Sequence, residues 1–204
     1  MDKSLLDAIM ERRSIRKYKG DPVGEKDLDQ IIEAARLAPS GTNRQPWRFV
    51  LLNNAHEKQK LVGAVIQPFV LEAPALFVCC LDRKAYTKGM VEKRMKELVQ
   101  MNVISEEAAG YIYKRKMPDK VDDVVIPAGA YVDLGIAVEH MVLTAESLGL
   151  GSCWVRLFNP QQVHEALGLP DQVEVVALLP VGYPAESPSS RPRLSREEIM
   201  IEPQ

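Results

Sequence analysis

The sequence predicts an α+β fold, and three observations support this prediction. Helical patterns and short apolar runs typical of strands follow one another irregularly along the chain. Few hairpin signals separate the runs, which argues against an all-β protein, and the runs themselves argue against a helical bundle. Residues 128–148 are apolar on nearly all sides, which predicts a central buried helix or a helix that also packs against another subunit.

The individual elements follow from capping residues and apolar spacing. Ser4 and Asp7 form a capping-box signal at the start of the first helix, and Pro39 ends the second. Helices are predicted directly after Ser4 and at residues 25–38, 56–66, 128–148 and 160–167. Strands are predicted at residues 48–52, 75–81, 153–158 and 174–181, with a short last strand at 199–201. The run 75–81 is apolar throughout, which is typical of a strand buried on both faces.

Length and charge limit the class of protein. The chain has 204 residues and a formal net charge of -2, with 26 basic against 28 acidic side chains. This size predicts one domain, residues 1–204. The near-neutral balance argues against a nucleic-acid-binding protein, which needs an excess of basic groups. The longest nearly uncharged apolar run, residues 74–81, is shorter than the roughly 20 residues that span a bilayer, so we expect no membrane segment.

The cysteines and the start of the chain indicate the compartment. Leu5 and Leu6 are followed at once by charged residues, so no secretory leader is expected. Cys79 and Cys80 are adjacent in a predicted strand and would face opposite sides of the sheet. We therefore expect reduced thiols in a cytoplasmic protein. The three histidines show no metal-ligand spacing, and no metal site is expected.

Residues 84–120 differ in composition from the rest of the chain. Lysine and arginine are dense in this stretch, and four of the eight methionines lie in it. The pattern predicts exposed helices that form an excursion from the core.

Three separate segments carry side chains suited to an anionic, aromatic cofactor. The first contains Arg12, Arg13, Ser14 and Arg16, directly after the first helix. Arginine binds phosphate through paired N–H donors, so a cluster of this kind favours a phosphate site. The alternative is a solvated basic turn whose charges are balanced by neighbouring acids.

The second segment is a polar loop, and the third is an arginine pair in the tail. Residues 39–47 combine two prolines with short hydrogen-bonding side chains, which suits the polar edge of a ligand or an ordinary connector. Arg191 and Arg193 flank Pro192, and in an extended backbone both would point the same way and reach one phosphate. A solvated, Ser/Pro-rich arm is the alternative for the third segment.

Taken in order, four motifs resemble the nitroreductase family of FMN-dependent oxidoreductases. They are the early ERRSIRKY, APSGTNRQPWRFV after the second helix, LGLGSCWV after the long apolar helix, and RPR near the C-terminus. Their order and spacing agree over nearly the whole chain. The resemblance implies a mixed sheet flanked by helices, a long central buried helix, and an intertwined homodimer with FMN at the subunit interface.

The same resemblance implies a role for each motif. Arg12, Arg13 and Ser14 would hold the FMN phosphate and the polar edge of the flavin. Arg16 would lie near the pyrimidine end and electrostatically stabilise the negative charge of the reduced flavin. The partner subunit would supply Pro39, Ser40, Gly41, Asn43 and Gln45. Four consecutive residues would lie along the isoalloxazine ring: Trp154, Val155, Arg156 and Leu157. Arg191 and Arg193 would complete the phosphate clamp, and residues 84–120 would cover the active site.

The activity implied is that of an FMN-dependent oxidoreductase. NADH or NADPH would reduce bound FMN, which would then reduce an electron-poor acceptor, a nitroaromatic or a quinone, by a ping-pong mechanism. The flavin carries the chemistry, so no catalytic acid or base is assigned. Two alternatives remain open. One is a specialised flavin enzyme of the same fold, such as a reductive dehalogenase or a flavin-degrading enzyme, and the other is a non-catalytic flavin-binding sensor or carrier.

Overall fold

A four-stranded sheet with helices packed on it forms the frame of the molecule. A computed structural model describes residues 3–203, so residues 1, 2 and 204 of the predicted domain lie outside the described residues. The strands are β1 (Trp47–Leu52), β2 (Ala75–Asp82), β3 (Gly151–Ser152) and β4 (Val173–Gly182). The helices are α1 (Leu5–Glu11), α2 (Glu25–Arg36), α3 (Ala55–Gln59), α4 (Pro68–Glu72), α5 (Lys88–Gln100), α6 (Glu106–Tyr113), α7 (Ala128–Ser147), α8 (Pro160–Leu167) and α9 (Arg196–Ile199). The predicted α+β class is confirmed.

The strands pair in the spatial order β1-β2-β4-β3, and all three pairs are antiparallel. β2 lies between β1 and β4, with Val78 opposite Val50 on one side and opposite Leu178 on the other. All of β2 is buried, as its unbroken apolar run predicts. The four strands thus form an antiparallel sheet, not the mixed sheet that the resemblance implies, because the parallel contact at the β3 end is a single bridge between Ser14 and Ser152.

The two faces of the sheet carry separate apolar cores, because alternate residues of a strand point to opposite faces. Phe77 and Cys79 of β2 join a core with α2 and α7, whereas Val78 and Cys80 join a second core on the other face. The two neighbouring thiols are therefore separated by the sheet, as predicted. α7 packs against α1, α2 and the sheet, and its buried residues run from Ala130 to Ala145. The predicted central buried helix is confirmed.

The predicted strand at 153–158 is wrong, because the partner strand contains a proline. β3 ends at Ser152, and the Cys153 N–H donates to the Pro180 carbonyl only at 3.4 Å. Pro180 has no N–H to return the bond, so the ladder stops there. Pairing reappears as a single bridge between Val155 and Leu178.

Three other segments have a secondary structure that differs from the predicted one. The helix predicted at 56–66 is α3, which ends at Gln59, and Gly63 then turns the chain with a φ of 95°. α4 was not predicted; it begins at Pro68, whose fixed φ suits a first helical turn. The last strand predicted at 199–201 is wrong, because Ser195 and Glu198 form a capping box that starts α9.

Residues 84–120, for which the composition predicts exposed helices, contain α5 and α6. The Asp82 carboxylate accepts the N–H of Lys84 at 2.9 Å and starts a 3₁₀ turn, Arg83–Tyr86. α5 and α6 follow and enclose a small core of Val91, Met95 and Ala109. The limits of the domain and the covering role of residues 84–120 remain predictions.

Candidate functional site

The basic segment after α1 is fixed by the end of that helix. The N–H of Arg12 donates to the carbonyl of Ala8 at 3.0 Å, which closes the last turn. The Arg13 guanidinium donates to the carbonyls of Met10, Glu11 and Arg12 at 2.9, 2.9 and 3.0 Å. A cation at the C-terminus of a helix interacts favourably with the helix dipole. Arg13 therefore stabilises the backbone that carries Arg12.

The chain after these arginines docks on the end of the sheet. The N–H of Ile15 donates to the Ser152 carbonyl at 2.9 Å. The Tyr18 hydroxyl lies 2.7 Å from the Ile15 carbonyl and 3.3 Å from that of Pro180. A Cβ atom at Gly151 would lie 2.6 Å from the Ile15 side chain, so the close approach requires glycine. The basic segment consequently has a fixed position relative to β3.

The C-terminal tail returns to the same segment. The N–H of Ala185 donates to the Lys17 carbonyl at 2.9 Å. The Glu186 carboxylate accepts the N–H of Arg16 at 2.6 Å. These contacts place residues 188–193 beside the end of α1.

Arginines from both parts of the chain line one cavity of about 270 Å³, which we call the arginine cleft. Its basic side chains are Arg12, Arg13, Arg16, Arg191 and Arg193. Hydroxyl groups from Ser14, Ser189 and Ser190 complete the polar lining. The first and third predicted segments therefore meet in one place. Guanidinium N–H donors gathered in this way suit the oxygens of a phosphate.

The guanidinium groups of the arginine cleft have no acidic partner within the described chain, although the Glu186 carboxylate beside them accepts the backbone N–H of Arg16 at 2.6 Å. In residues 3–203 none of its arginines forms an ion pair, and no carboxylate lines the cleft. Glu11, the nearest acid in the sequence, pairs with Lys3 at 2.9 Å. Like charges held together repel one another unless an anion is present. This favours an anion site over the solvated turn that the sequence left open.

Residues 39–45 of the polar loop have a strained backbone. Positive φ values of 53°, 53° and 49° occur at Thr42, Asn43 and Gln45. Outside glycine this conformation costs roughly 1–2 kcal/mol per residue, and it is typical of functional sites. The Gly41 N–H donates to the buried Asp133 carboxylate of α7 at 3.0 Å, and the Gln45 N–H donates to the Ser40 hydroxyl at 3.0 Å. The loop is thus held in a conformation that it would not adopt alone.

The same loop does not line the arginine cleft of its own chain. Pro39, Gly41 and Asn43 are exposed, and Ser40 and Gln45 are half-buried. The Gln45 amide donates to the Asn43 side-chain oxygen at 2.8 Å. The second predicted segment is therefore separate from the other two within one chain, and its supply to a partner subunit remains a prediction.

Residues 154–157 have two different environments. The Trp154 indole N–H donates to the Glu139 carboxylate of α7 at 3.1 Å. Val155 is buried, and its N–H and carbonyl both bond to Leu178 at 2.9 Å. Arg156 and Leu157 are exposed. Val155 thus anchors the segment to β4, and Arg156 and Leu157 are accessible to a ligand.

Comparison with known proteins identifies the family. A sequence model described as the nitroreductase family matches residues 9–183. The chain belongs to the nitroreductase family. It is 34% identical over 200 residues to an NADH dehydrogenase from Thermus thermophilus, covering 95% of this chain and 93% of the relative. It is 30% identical over 200 residues to an FMN reductase (NAD(P)H) from Bacillus subtilis, covering 96% of this chain and 72% of the relative.

The fold of this nitroreductase-family chain is also found in solved structures. A nitroreductase-like protein from Streptococcus mutans is 26% identical, has a TM-score of 0.79, and is matched over 98% of both chains. The family resemblance inferred from the four motifs is confirmed. In the part of the chain from residue 3 to residue 203, no helix is both long and apolar enough to cross a bilayer.

In this nitroreductase-family protein Cys153 lies next to the arginine cleft as a buried thiol. Its side chain is 4% exposed. Burial raises the pKa of the Cys153 thiol, and the nearby charges of Arg16 and Arg12 lower it in part. Since the thiolate is the reactive form, a raised pKa keeps Cys153 unreactive near neutral pH.

Four residues that shape the site were not assigned to it from the sequence: Tyr18, Asp133, Glu139 and Glu186. Asp133 and Glu139 interrupt an otherwise apolar helix, and a carboxylate in such a helix needs a specific polar partner. That signal could have linked α7 to the polar loop and to Trp154. Tyr18 and Glu186 lie in polar segments and carry no comparable signal.

Proposed function

We propose that this nitroreductase-family protein is an FMN-dependent NAD(P)H oxidoreductase. The observation that carries the proposal is the arginine cleft, where two distant segments supply guanidinium groups that form no ion pair within residues 3–203. A phosphate dianion suits that donor set. The relative from Bacillus subtilis, named an FMN reductase (NAD(P)H), supports FMN as the molecule that carries the phosphate.

The residues of the cleft are expected to have different roles in FMN binding. Arg12, Arg191 and Arg193 would bind phosphate oxygens, and Ser14 would add a hydroxyl donor. Arg13 would contribute charge while its N–H groups hold the end of α1. When bound, FMN supplies the ring that accepts hydride from NAD(P)H and passes electrons to the acceptor. No protein acid or base is assigned to these transfers.

We infer that a second copy of the chain completes the site. Four large apolar side chains of α1 are 51–69% exposed: Leu5, Leu6, Ile9 and Met10. Four more in the tail are 61–90% exposed: Leu194, Ile199, Met200 and Ile201. Exposed apolar groups of this extent mark interaction surfaces. They support an intertwined homodimer in which each polar loop, residues 39–45, reaches the FMN bound by the other copy.

The two substrates are expected to use the same face of the flavin in turn. NADH or NADPH would bind, transfer hydride and leave, and a nitroaromatic or quinone acceptor would then take its place. This order predicts parallel lines in double-reciprocal plots of initial rates at several acceptor concentrations. Intersecting lines would contradict the ping-pong order, because they require both substrates to be bound together.

The absorption spectrum of the purified protein tests the proposal directly. We expect a flavin spectrum, release of FMN on denaturation, and binding of one FMN per chain. The double variant Arg191→Gln/Arg193→Gln removes two charged donors and is expected to weaken FMN binding by roughly tenfold to a hundredfold. Arg196→Gln is the matched control, because Arg196 lies in the same exposed tail but does not line the cleft. A protein that stays colourless after incubation with FMN would refute the proposal.

Turnover separates the remaining alternatives. Sustained NADH or NADPH oxidation in the presence of a quinone would exclude a non-catalytic sensor or carrier. Activity limited to halogenated aromatics, or consumption of the flavin itself, would indicate a specialised flavin enzyme. The three cysteines are free and buried, which supports a compartment that keeps thiols reduced, and we propose the cytoplasm.

A further inference from the structure

A second cavity lies between the polar loop and the helical excursion. It has a volume of about 330 Å³, and we call it the excursion cavity. Its lining includes Arg44, Tyr86, Ile112, Arg115, Lys116 and Val124. None of the residues assigned above to FMN lines it. Arg44 nevertheless lies between Asn43 and Gln45, two loop residues in the proposed FMN site.

Arg44 is held over the ring of Tyr86 without an acidic partner. The central carbon of its guanidinium lies 5.0 Å from the centre of the ring, a distance typical of a cation–π contact. Its Nε atom is buried and has no hydrogen-bond acceptor within residues 3–203. No ion pair involving Arg44 is found in that part of the chain. The guanidinium is therefore positioned but not neutralised.

Tyr86 supplies a second donor without a protein partner. The residue is 7% exposed, and its hydroxyl has no partner at normal hydrogen-bond geometry within residues 3–203, although the Arg44 guanidinium and the Asp133 carboxylate lie beside it. Burial and the nearby carboxylate of Asp133 raise the pKa of Tyr86 to about 12, so the hydroxyl stays protonated at neutral pH. A buried hydroxyl without a partner costs free energy, which a ligand that accepts its hydrogen bond would recover.

The rest of the lining fits an anion attached to an apolar ring. Arg115 and Lys116 add two positive charges from exposed positions, and among residues 3–203 the lining contains one acid, Asp123. Apolar side chains, Val91, Ile112 and Val124 among them, line other parts of the cavity. Charge-assisted hydrogen bonds from Arg44 and Tyr86 would fix the anionic group. The apolar side chains would contact the ring.

We propose that the excursion cavity binds an anionic group, a carboxylate or a phosphate, carried by a substrate of the flavin. The proposal rests on the proposed function only in assigning that substrate to the flavin reaction. Binding of the anion itself depends on Arg44 and Tyr86 and not on FMN. Two sources share this chemistry: an aromatic acid that acts as electron acceptor, and the 2′-phosphate that distinguishes NADPH from NADH.

Calorimetric titration tests the proposal with matched ligand pairs. The purified protein, with and without added FMN, is titrated with para-nitrobenzoate and with its neutral analogue para-nitrobenzamide. NADP+ and NAD+ form the second pair. In at least one pair the charged ligand is expected to bind about tenfold more tightly, as one charge-assisted hydrogen bond to a partly buried donor predicts. Preference in the first pair identifies an acceptor acid, and preference in the second identifies the nucleotide phosphate.

Three variants test which residues cause the preference for the charged ligand. Arg44→Gln is expected to reduce it to within about twofold, because the main charged donor is lost. Tyr86→Phe is expected to weaken binding of the charged ligand about fivefold without lowering the melting temperature, because the hydroxyl has no partner in the protein to lose. Lys96→Gln is the control; it removes one positive charge from an exposed position of α5 outside the cavity and should retain the preference.

Two results would overturn the proposal: equal binding of charged and neutral ligands in both pairs, or a preference that survives both Arg44→Gln and Tyr86→Phe. Tyr86→Phe keeps the test valid if the Arg44 variant does not fold. A colourless protein would refute the proposed FMN function alone, since the calorimetric preference is measured without FMN as well.

Discussion

Arg16 combines an exposed side chain with a fixed backbone. Its N–H is held by the Glu186 carboxylate at 2.6 Å, and its guanidinium reaches the Ser14 carbonyl at 3.3 Å. The backbone of Arg16 is therefore fixed, and its guanidinium lines one edge of the arginine cleft. A fixed positive charge stabilises a negative charge that develops beside it, and no reorganisation is needed at that moment.

The Arg16→Gln variant is therefore expected to bind FMN and to give it a more negative reduction potential. The reason is that the reduced flavin is anionic and would lose an electrostatic partner. Spectroelectrochemical titration measures the potential, and Lys17→Gln is the control, because Lys17 is exposed and does not line the cleft. An unchanged potential in Arg16→Gln would remove Arg16 from this role.

Tyr18 predicts a dependence of stability on alkaline pH. Burial raises the pKa of Tyr18 well above its ordinary value of 10.0. Above pH 10 the unfolded chain loses this proton while the folded chain keeps it, so stability falls as pH rises. The fall contributed by Tyr18 approaches about 1.4 kcal/mol per pH unit.

The Tyr18→Phe variant should therefore lose stability less steeply between pH 10 and pH 11 than the unmodified protein. At neutral pH it should be less stable by about 1 kcal/mol, because the hydrogen bond to the Ile15 carbonyl is lost. Urea unfolding at each pH gives both values. Tyr111→Phe is the control, since Tyr111 is 67% exposed; parallel pH curves for Tyr18→Phe and the unmodified protein would contradict the argument.

At the scale of elements, the contact between the basic segment and β3 depends on a glycine. Gly151→Ala would force a Cβ atom to within 2.6 Å of Ile15. Overpacking of this kind destabilises by about 1–3 kcal/mol, and it would displace the segment that carries the arginines. We expect a lower free energy of unfolding in urea together with weaker FMN binding.

Gly110→Ala, a variant in α6, is expected to have the opposite effect on the free energy of unfolding. A Cβ at Gly110, inside α6, would meet no heavy atom within 4 Å. Alanine in a helix interior is favoured over glycine by about 0.8–1.0 kcal/mol, so this variant should be more stable. If Gly151→Ala and Gly110→Ala had equal free energies of unfolding, the contact with Ile15 would not be what excludes a larger side chain at position 151.

Capping and periodicity predicted most elements, and they failed where tertiary pairing decided the outcome. The long apolar helix and the buried strand β2 follow from local pattern alone. The segment 153–158 has the composition of a strand, but its pairing depends on Pro180, which is distant in sequence. The tail ends in apolar residues typical of a strand, yet its local capping box determines a helical turn.

At the scale of the whole molecule, the candidate site was predictable in its parts and not in its assembly. The four motifs identified the arginines and the polar loop as site segments. The meeting of the two arginine segments in one cleft depends on Ser152, Ala185 and Glu186, which hold the basic segment and the tail in place, whereas the polar loop stays separate within one chain. The contacts of Ser152 and Ala185 are made by backbone groups, which any residue can supply, so composition does not predict them.

The exposed apolar face of α1 leads to a prediction about assembly. Leu6 is 69% exposed, so Leu6→Lys should leave the single chain folded and weaken dimerisation by at least roughly tenfold. Because each FMN would be shared by two copies, FMN affinity should fall in parallel. Sedimentation equilibrium measures the first effect, and flavin fluorescence measures the second.

Met101→Lys is the control for this change. Met101 is 71% exposed at the end of α5, outside the apolar face of α1, and its substitution should leave the dimer unchanged. A monomeric unmodified protein, or a Leu6→Lys variant that dimerises normally, would contradict the proposed arrangement.

The bond between Arg16 and Glu186 joins positions that are 170 residues apart in the sequence. During synthesis on the ribosome, Arg12 and Arg16 are made before the tail and lack their counterparts until residues 186–193 have been added. A shorter nascent chain would therefore bind FMN more weakly, because the tail arginines are missing from the cleft. A stop codon placed after Gly182, the end of β4, and before Arg191 would give a product that keeps all four strands and binds FMN more weakly.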